Sequence, residues 1–343
     1  MNEPALSIVV PCYNEEAVLA ELHRRASAAA RATGLSYELL LINDGSTDAT
    51  WPAMVAIADT DSAVRAVNLS RNHGHQLALS AGLAVCRGRR VLVLDADLQD
   101  PPELLADMLA LMDGGADVVY GQRSSRESES WFKLATAKWF YRALDRITDT
   151  PIPRDTGDFR LMSRRVVDVF NAMPERQRYV RGMIAWVGFK QVPIQYQRSK
   201  RFAGETKYPL RRMVRFALDA VTSFSTMPLK LSIYIGLAAA TLATLLVVLT
   251  LVSWLAGLAS VVGWASLFAA VTFFSAVQLF VLGIIGEYLA RVVDQGRGRP
   301  LFVIERVVGG RAEQDETTPG ASRPVPLPSP GDDAGHPVQT IRA

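Results

Sequence analysis

Residues 91–103 read VLVLDADLQDPPE, so four apolar side chains run into Asp95, Asp97 and Asp100 and then into two prolines. Asp95 and Asp97 straddle one residue. If the chain is still extended there, both carboxylates point to one side, and Gln99 continues the same spacing. Two carboxylates and an amide oxygen suit a hard divalent cation, Mg2+ or Mn2+, that also takes phosphate oxygens as ligands. Without a cation, carboxylates clustered in this way repel one another. Asp-x-Asp is common by chance, so the spacing alone leaves a solvated acidic turn open beside the metal reading. Asp100 precedes Pro101 and Pro102, which is the pattern of a helix start capped by an aspartate.

The elements that must position these groups are legible upstream. LSIVV (6–10), YELLLI (37–42), VRAVNL (64–69), RVLVL (90–94) and ADVVYG (116–121) read as strands. Between them Glu15–Arg31, Asp48–Ala58, Gln76–Cys86 and Pro102–Met112 read as helices. Continuous apolar strands alternating with helices predict an α/β protein with a mostly parallel sheet covered on both faces. Ligands of such sheets bind beyond the carboxyl ends of the strands. PCYNEE, NDGSTD, SRNHGH and DADLQD follow the first four strands in turn, so four polar clusters are expected on one rim. No GxGxxG follows the first strand, which argues against a dinucleotide fold. Further on, Ser130–Ile147 reads as a helix with an aromatic surface, DTGDFRLMSRR (155–165) as a loop running into a strand or helix start, and KQVPIQYQ (190–197) as a strand.

The remaining third is of another kind. From Leu231 to Gly286 there is no Asp, Glu, Lys, Arg or His. Since about 20 apolar residues cross a bilayer, two spans are expected near Leu231–Trp254 and Trp264–Tyr288, joined by LAGLASVVG. The competing reading, two buried helices of a soluble core, lacks the charged face that such helices carry. PLRRMVRFALDAVTSFS (209–225) is amphipathic and suits an interfacial helix. Lys207, Arg211, Arg212, Arg215 and Lys230 precede the first span, and Arg291, Arg297, Arg299 and Arg306 follow the second. By the positive-inside rule both ends are cytoplasmic. The N-terminus lacks the basic start and long apolar run of a signal peptide. RPLFVIERVV (299–308) could add a strand to the soluble domain of its own chain or of a neighbour. The Pro- and Gly-rich 309–343 is expected to be a disordered tail. Cys12 and Cys86 make neither a disulfide framework nor a zinc site. A net charge of +3 is too small to argue for nucleic acid.

SIVVPCYNEE, LLINDGSTDAT, NLSRNHGH and VLVLDADLQDPPE together resemble family 2 glycosyltransferases of the GT-A, Rossmann-like fold. DTGDFRLMSRR, KRFAGETKYPLRRMVRFALDAVTSFS and two C-terminal spans resemble one branch, the polyprenyl-phosphate glycosyltransferases, including bacterial polyprenyl-phosphate glucosyltransferases and dolichyl-phosphate mannose synthases. The resemblance implies a GT-A catalytic domain over 1–208, a juxtamembrane helix over 209–228, two transmembrane helices over 229–290 and a cytoplasmic segment over 291–308 that returns to the soluble domain. It implies that Pro11, Tyr13, Glu15 and Asp44 hold nucleobase and ribose, and that Asp95, Asp97 and Gln99 hold the cation that clamps the donor diphosphate. Arg201, three residues before the glycine of GETKY, would contact the diphosphate, assisted by Lys207. Arg123 and Arg126 would receive the acceptor phosphate, with Lys133 and Arg142 as weaker candidates. Asp158 matches a residue proposed as the base. A phosphate acceptor is already mostly ionised, so Asp158 would alternatively orient the acceptor or stabilise charge at the sugar, with Asp155 its neighbouring candidate. His73 and His75 could reach the nucleotide, although a helix-start or surface role is the plainer reading.

The implied enzyme is an inverting glycosyltransferase of the cell membrane that moves one sugar from a nucleotide-sugar donor to a membrane polyprenyl phosphate, at the cytoplasmic face. UDP-glucose is the first choice of donor, with GDP-mannose, UDP-N-acetylglucosamine and UDP-formamido-arabinose as alternatives. A processive polysaccharide synthase would carry a Gln-x-x-Arg-Trp motif, which RQRYVRGMIAW lacks, and more spans. A non-catalytic scaffold would not need the intact acidic stretch. The resemblance also suggests a homo-oligomer, with a tetramer among its states.

Overall fold

The computed structural model of the protein describes residues 3–123, 156–197, 227–256 and 263–310. The expected helix over 130–147, the amphipathic segment 209–225 and the tail beyond 310 lie outside the described residues.

The chain opens with β1 (Leu6–Cys12), α1 (Glu16–Ala32), β2 (Tyr37–Asn43), α2 (Thr50–Thr60), β3 (Val64–Leu69), α3 (His75–Val85) and β4 (Arg90–Val93). A 3-10 turn (Pro102–Leu104) leads into α4 (Leu105–Asp113) and β5 (Val118–Arg123). Then come β6 (Thr156–Ser163), α5 (Arg164–Ala172), α6 (Val180–Val187), β7 (Gln191–Tyr196), α7 (Met227–Leu255), α8 (Trp264–Gly296) and β8 (Ile304–Gly309). The strands form one sheet in the order β7-β5-β6-β4-β1-β2-β3-β8. β1 pairs in parallel with both β2 and β4, and β2 with β3. β1 is buried along its whole length and β2 from its second residue, as strands covered on both faces must be. α1 turns Val18, Leu19, Leu22, Ala26 and Ala30 to one face of the sheet, a helical spacing that makes one apolar stripe. Leu79, Leu83, Val166, Phe170 and Ile184, from α3, α5 and α6, fill the other face.

Several local expectations need correction. DTGDFRLMSRR does run into a strand, with a helix start following from Arg164. The strand begins already at Thr156: Thr156–Ser163 is buried and inserted antiparallel between β4 and β5. Its apolar alternation is hidden because Asp158 and Arg160 occupy inward positions on one face, where they bind each other's surroundings instead of solvent. β4 ends at Val93, and residues 96–97 form a turn. The extended-chain argument for Asp95 and Asp97 therefore does not apply. Leu98 in that turn has φ 56° and is nonetheless buried, a left-handed conformation that costs a leucine about 1–2 kcal/mol and is found mostly at functional sites. Asp100 does not cap the helix: the capping position is Pro101, with no side-chain bond, and the Asp100 carboxylate instead accepts the Tyr196 hydroxyl.

RPLFVIERVV adds its strand to its own chain, with β8 antiparallel to β3 and Val307 opposite Val67. Between β7 and β8 in sequence stand the two apolar helices. Ser232–Ser253 and Ala269–Gly296 have mean hydropathies of 2.5 and 2.1 and are long and apolar enough to cross a membrane. Neither apolar stretch is buried within the protein, which removes the core-helix reading. α8 starts at Trp264, where the second apolar stretch was expected to begin, and continues as helix beyond Tyr288 to Gly296. Its polar end meets the sheet domain: Arg291 hydrogen-bonds the Gln177 side chain, and Arg176 the carbonyl of Arg299.

Candidate active site

The rim at the carboxyl ends of β1, β2, β3 and β4 is built by short loops that hold one another. Gly45 has φ +65°, and a Cβ there would lie 2.5 Å from the Asn72 backbone nitrogen. Only glycine lets the β2 loop and the β3 loop approach this closely. Asp44 completes the joint: its two carboxylate oxygens accept the backbone N–H groups of His73 (2.7 Å) and Gly74 (3.0 Å). The side chain is buried, and burial raises its pKa against those two donors. Asn14, at φ 56°, accepts the Thr47 N–H at 2.8 Å and donates its own N–H to Ser46. Pro11 lies buried within β1, opposite Ile42 of β2, Tyr13 projects from the rim 45% exposed, and the Glu15 N–H donates to Thr50 Oγ1 at 2.8 Å.

At the centre stands Asp158, delivered by β6 and 1% exposed. Arg181 of α6 donates from Nε (2.8 Å) and Nη2 (3.2 Å) to its two oxygens. The Gln76 amide donates at 3.1 Å, and His75 Nε2 lies at 3.1 Å. Gln76 is itself fixed because its carbonyl oxygen accepts the Val180 N–H at 2.9 Å. Arg160, wholly buried behind, donates to the carbonyl of Gly157 at 3.0 Å. Burial opposes ionisation of Asp158, but the His75 hydrogen bond and the Arg181 and Arg160 guanidinium charges outweigh it and hold the carboxyl well below the usual range. Burial lowers the Arg160 pKa to about 10, so it stays charged at neutral pH.

Asp95 faces this group from the β4 end. Its Oδ1 lies 3.6 Å from His75 Nε2 and is buried with no hydrogen-bond partner. Burial, with the Asp158 and Asp100 charges added, pushes its pKa up to about 6, although His75 works against the rise. Among the described residues, one ligand atom each from His75, Asp95 and Asp158 lie within 4.8 Å of one another, a group that could hold a metal ion. The residues present fit a cation, since an orphaned buried carboxylate oxygen is what a cation satisfies. This set shares only Asp95 with the expected Asp95, Asp97 and Gln99. Asp97 is buried in the adjoining turn and accepts the Gln99 N–H at 3.2 Å.

Arg123 ends β5 on the same rim, in register with Tyr196 of β7. Arg126, Lys133, Arg142, Asp155, Arg201 and Lys207 lie outside the described residues. Sequence reasoning passed over Gln76, Arg160, Arg181 and Tyr196. Asp158 and Arg160 are two apart, so reading TGDFRLM as a strand would have put both on one face. Arg181 gives no local signal, because its role depends on where α6 packs.

Comparison with known proteins identifies the family. The profile of Glycosyl transferase family 2 matches residues 7–170. The uncharacterized glycosyltransferase YkcC of Bacillus subtilis is 43% identical over 303 residues, covering 88% of this chain and 94% of that protein. The bactoprenol glucosyl transferase of Shigella phage SfII is 36% identical over 88% of this chain and 97% of its own length. Among solved structures, the glucosyl-3-phosphoglycerate synthase of Mycobacterium tuberculosis, in complex with uridine-diphosphate, aligns with a TM-score of 0.43 at 22% identity, covering 64% of this chain and 79% of that one. A mostly parallel α/β sheet followed by two apolar helices is thus the architecture that the motifs implied, and this chain, a glycosyltransferase of the GT-A type, belongs to glycosyl transferase family 2.

Proposed function

We propose that the protein transfers a single sugar, with inversion, from a nucleotide sugar to the phosphate of a membrane polyprenol such as undecaprenyl phosphate, with the catalytic domain and both termini on the cytoplasmic side. The observation that carries this reading is the coexistence of a charged rim around Asp158 and Asp95 with two unburied apolar helices in one chain. The likeness to proteins named bactoprenol glucosyl transferase over 88% of the chain supports the lipid acceptor and makes UDP-glucose the first donor. GDP-mannose, UDP-N-acetylglucosamine and UDP-formamido-arabinose are the alternatives to compare with it.

In this mechanism an acceptor phosphate oxygen attacks the anomeric carbon while the bond to the nucleoside diphosphate breaks and its electron pair leaves with the diphosphate. The acceptor is ionised at neutral pH, so no proton has to be removed. That suits Asp158, whose carboxylate is occupied by Arg181, His75 and Gln76 and is poorly placed to act as a base. Asp158 instead fixes the Arg181 guanidinium and the His75 ring at the rim. Asp95, with Asp97 and Gln99 in the adjoining turn, would hold Mg2+ or Mn2+, joined by His75. When bound, the cation neutralises charge on the departing diphosphate. Tyr13, which projects into solvent just beyond the end of β1, would meet the nucleobase.

The test is a screen of radiolabelled nucleotide sugars with undecaprenyl phosphate and the purified protein in detergent. Label extracted into organic solvent with UDP-glucose is the expected result. A water-soluble polymer, or no turnover with any donor, would overturn the reading.

A further inference from the structure

The face of β6 opposite Asp158 carries a second built cluster. Tyr196, which ends β7, donates its hydroxyl to Oδ1 of Asp100, a residue with no exposed surface. Arg123 and Tyr196 are partners in the β5–β7 register, and the Arg123 guanidinium acts on the same hydroxyl, opposing the rise in its pKa that burial and Asp100 cause. Two glycines make the room. A Cβ on Gly121 would lie 2.8 Å from the Tyr196 ring and 2.7 Å from Phe159, and one on Gly157 would lie 3.3 Å from Arg123 Nη2 and 3.8 Å from Asp100 Oδ2. Phe159 packs edge-on against the Tyr196 ring at 5.7 Å between centroids. The tyrosine is therefore held on its apolar side by Phe159 and on its polar side by Asp100.

Asp100 belongs to the same loop as Asp95, Asp97 and Gln99, whereas Arg123 stands at the end of β5. The tyrosine spans these two parts of the rim. Burial first, and then Asp100, push the Tyr196 pKa upward, so the phenol keeps its proton at neutral pH. With its proton given to Asp100, its oxygen lone pairs face the arginine. A guanidinium fixed on one edge in this way keeps its other N–H groups for a ligand with phosphate geometry.

We propose that Tyr196 and Asp100 form a positioning pair that fixes Arg123 on the rim, so that the arginine receives the phosphate monoester of the lipid acceptor. This rests on the acceptor class proposed above and adds residues that the motifs did not assign. Tyr196 and Asp100 touch no reacting atom and act through Arg123.

The test is a binding cycle on the full chain in detergent, with farnesyl phosphate as the probe and farnesol as its phosphate-free control. Wild type, Tyr196→Phe, Arg123→Ala and the double variant are compared by calorimetry. Losing an arrangement that orients a charged hydrogen bond predicts about tenfold weaker farnesyl phosphate binding in Tyr196→Phe. Arg123→Ala is expected to weaken binding at least as much, and the double variant no more than Arg123→Ala alone. Farnesol binding stays unchanged throughout. Asp100→Asn attacks the pair from its other end and is expected to weaken the phosphate probe alone, which covers the case in which Tyr196→Phe does not fold. Wild-type affinity in Tyr196→Phe, additive losses in the double variant, a parallel loss of farnesol binding, or no binding of farnesyl phosphate by the wild type would each overturn the proposal. The cycle involves no donor sugar. Failure of the transfer reaction, read separately as organic-soluble label, therefore cannot be mistaken for failure of the positioning pair.

Discussion

Arg181 and Asp158 set the energetics of the rim because only one of them reaches water: the Asp158 side chain is 1% exposed and that of Arg181 33%. Truncating Arg181 to Ala leaves a buried carboxylate short of its bidentate partner, which costs about 3–5 kcal/mol. The expected outcome is a clear fall in Tm by thermal unfolding together with loss of transfer. Arg181→Lys keeps the charge but not the two-nitrogen fork and is expected to recover most of the stability and little of the activity. Asp95 makes a different case. Its Oδ1 has no hydrogen-bond partner to lose, so Asp95→Asn is expected to leave Tm nearly unchanged while abolishing Mn2+ binding, which titration with Mn2+ followed by paramagnetic resonance would read directly. Wild-type Mn2+ affinity in that variant would remove Asp95 from the cation site. The sequence made Asp95 and Asp158 visible through motif and family resemblance. It offered His75 only as a rim residue that could reach the nucleotide and gave no sign of Arg181, since their place beside Asp158 arises only when α3 and α6 converge on one strand.

At the scale of elements, the rim depends on loops that brace each other across strands. Gly45→Ala tests this, since the added Cβ would meet the Asn72 backbone at 2.5 Å and the residue would have to keep φ +65°. A strained non-glycine residue costs about 1–3 kcal/mol, and the contact adds to it. We expect a lower Tm by calorimetry and weaker donor binding, because Asp44 and the His73–Gly74 turn shift together. β1 to β4 were legible as apolar runs because parallel strands are buried on both faces. β6 was not, for the reverse reason: its buried face carries Asp158 and Arg160, so the pattern that announces a strand is broken where the chemistry sits. β8 was legible only as a strand without a partner, since sequence pattern does not say which edge a strand will join.

For the whole molecule, the two apolar helices are the feature on which the proposed membrane setting rests. Leu242 lies at the middle of the apolar part of α7 and is 43% exposed. An arginine near the centre of a span costs about 2.5–3.5 kcal/mol on insertion scales. Leu242→Arg is expected to reduce the fraction of protein that resists carbonate extraction from membranes. An unchanged fraction would argue against a bilayer around α7. The polar end of α8 meets the loop before α6 through Arg291 and Gln177, so the element that carries Arg181 is tied to the apolar pair. The strand that follows α8 then closes the sheet. The Asn43 amide donates to the Asn68 side-chain oxygen, and the Asn68 amide in turn to Glu305, across three neighbouring strands. Asn68 and Glu305 are 237 residues apart, which at ribosomal rates of 5–20 residues per second is roughly 10–50 s of synthesis. Throughout that interval the nascent chain presents β3 as an open strand edge, the kind of surface that recruits other chains. Both apolar helices leave the ribosome before β8 does, so the sheet is finished only after the apolar helix pair has been made, and chains halted before Ile304 are expected to be the ones exposed to aggregation.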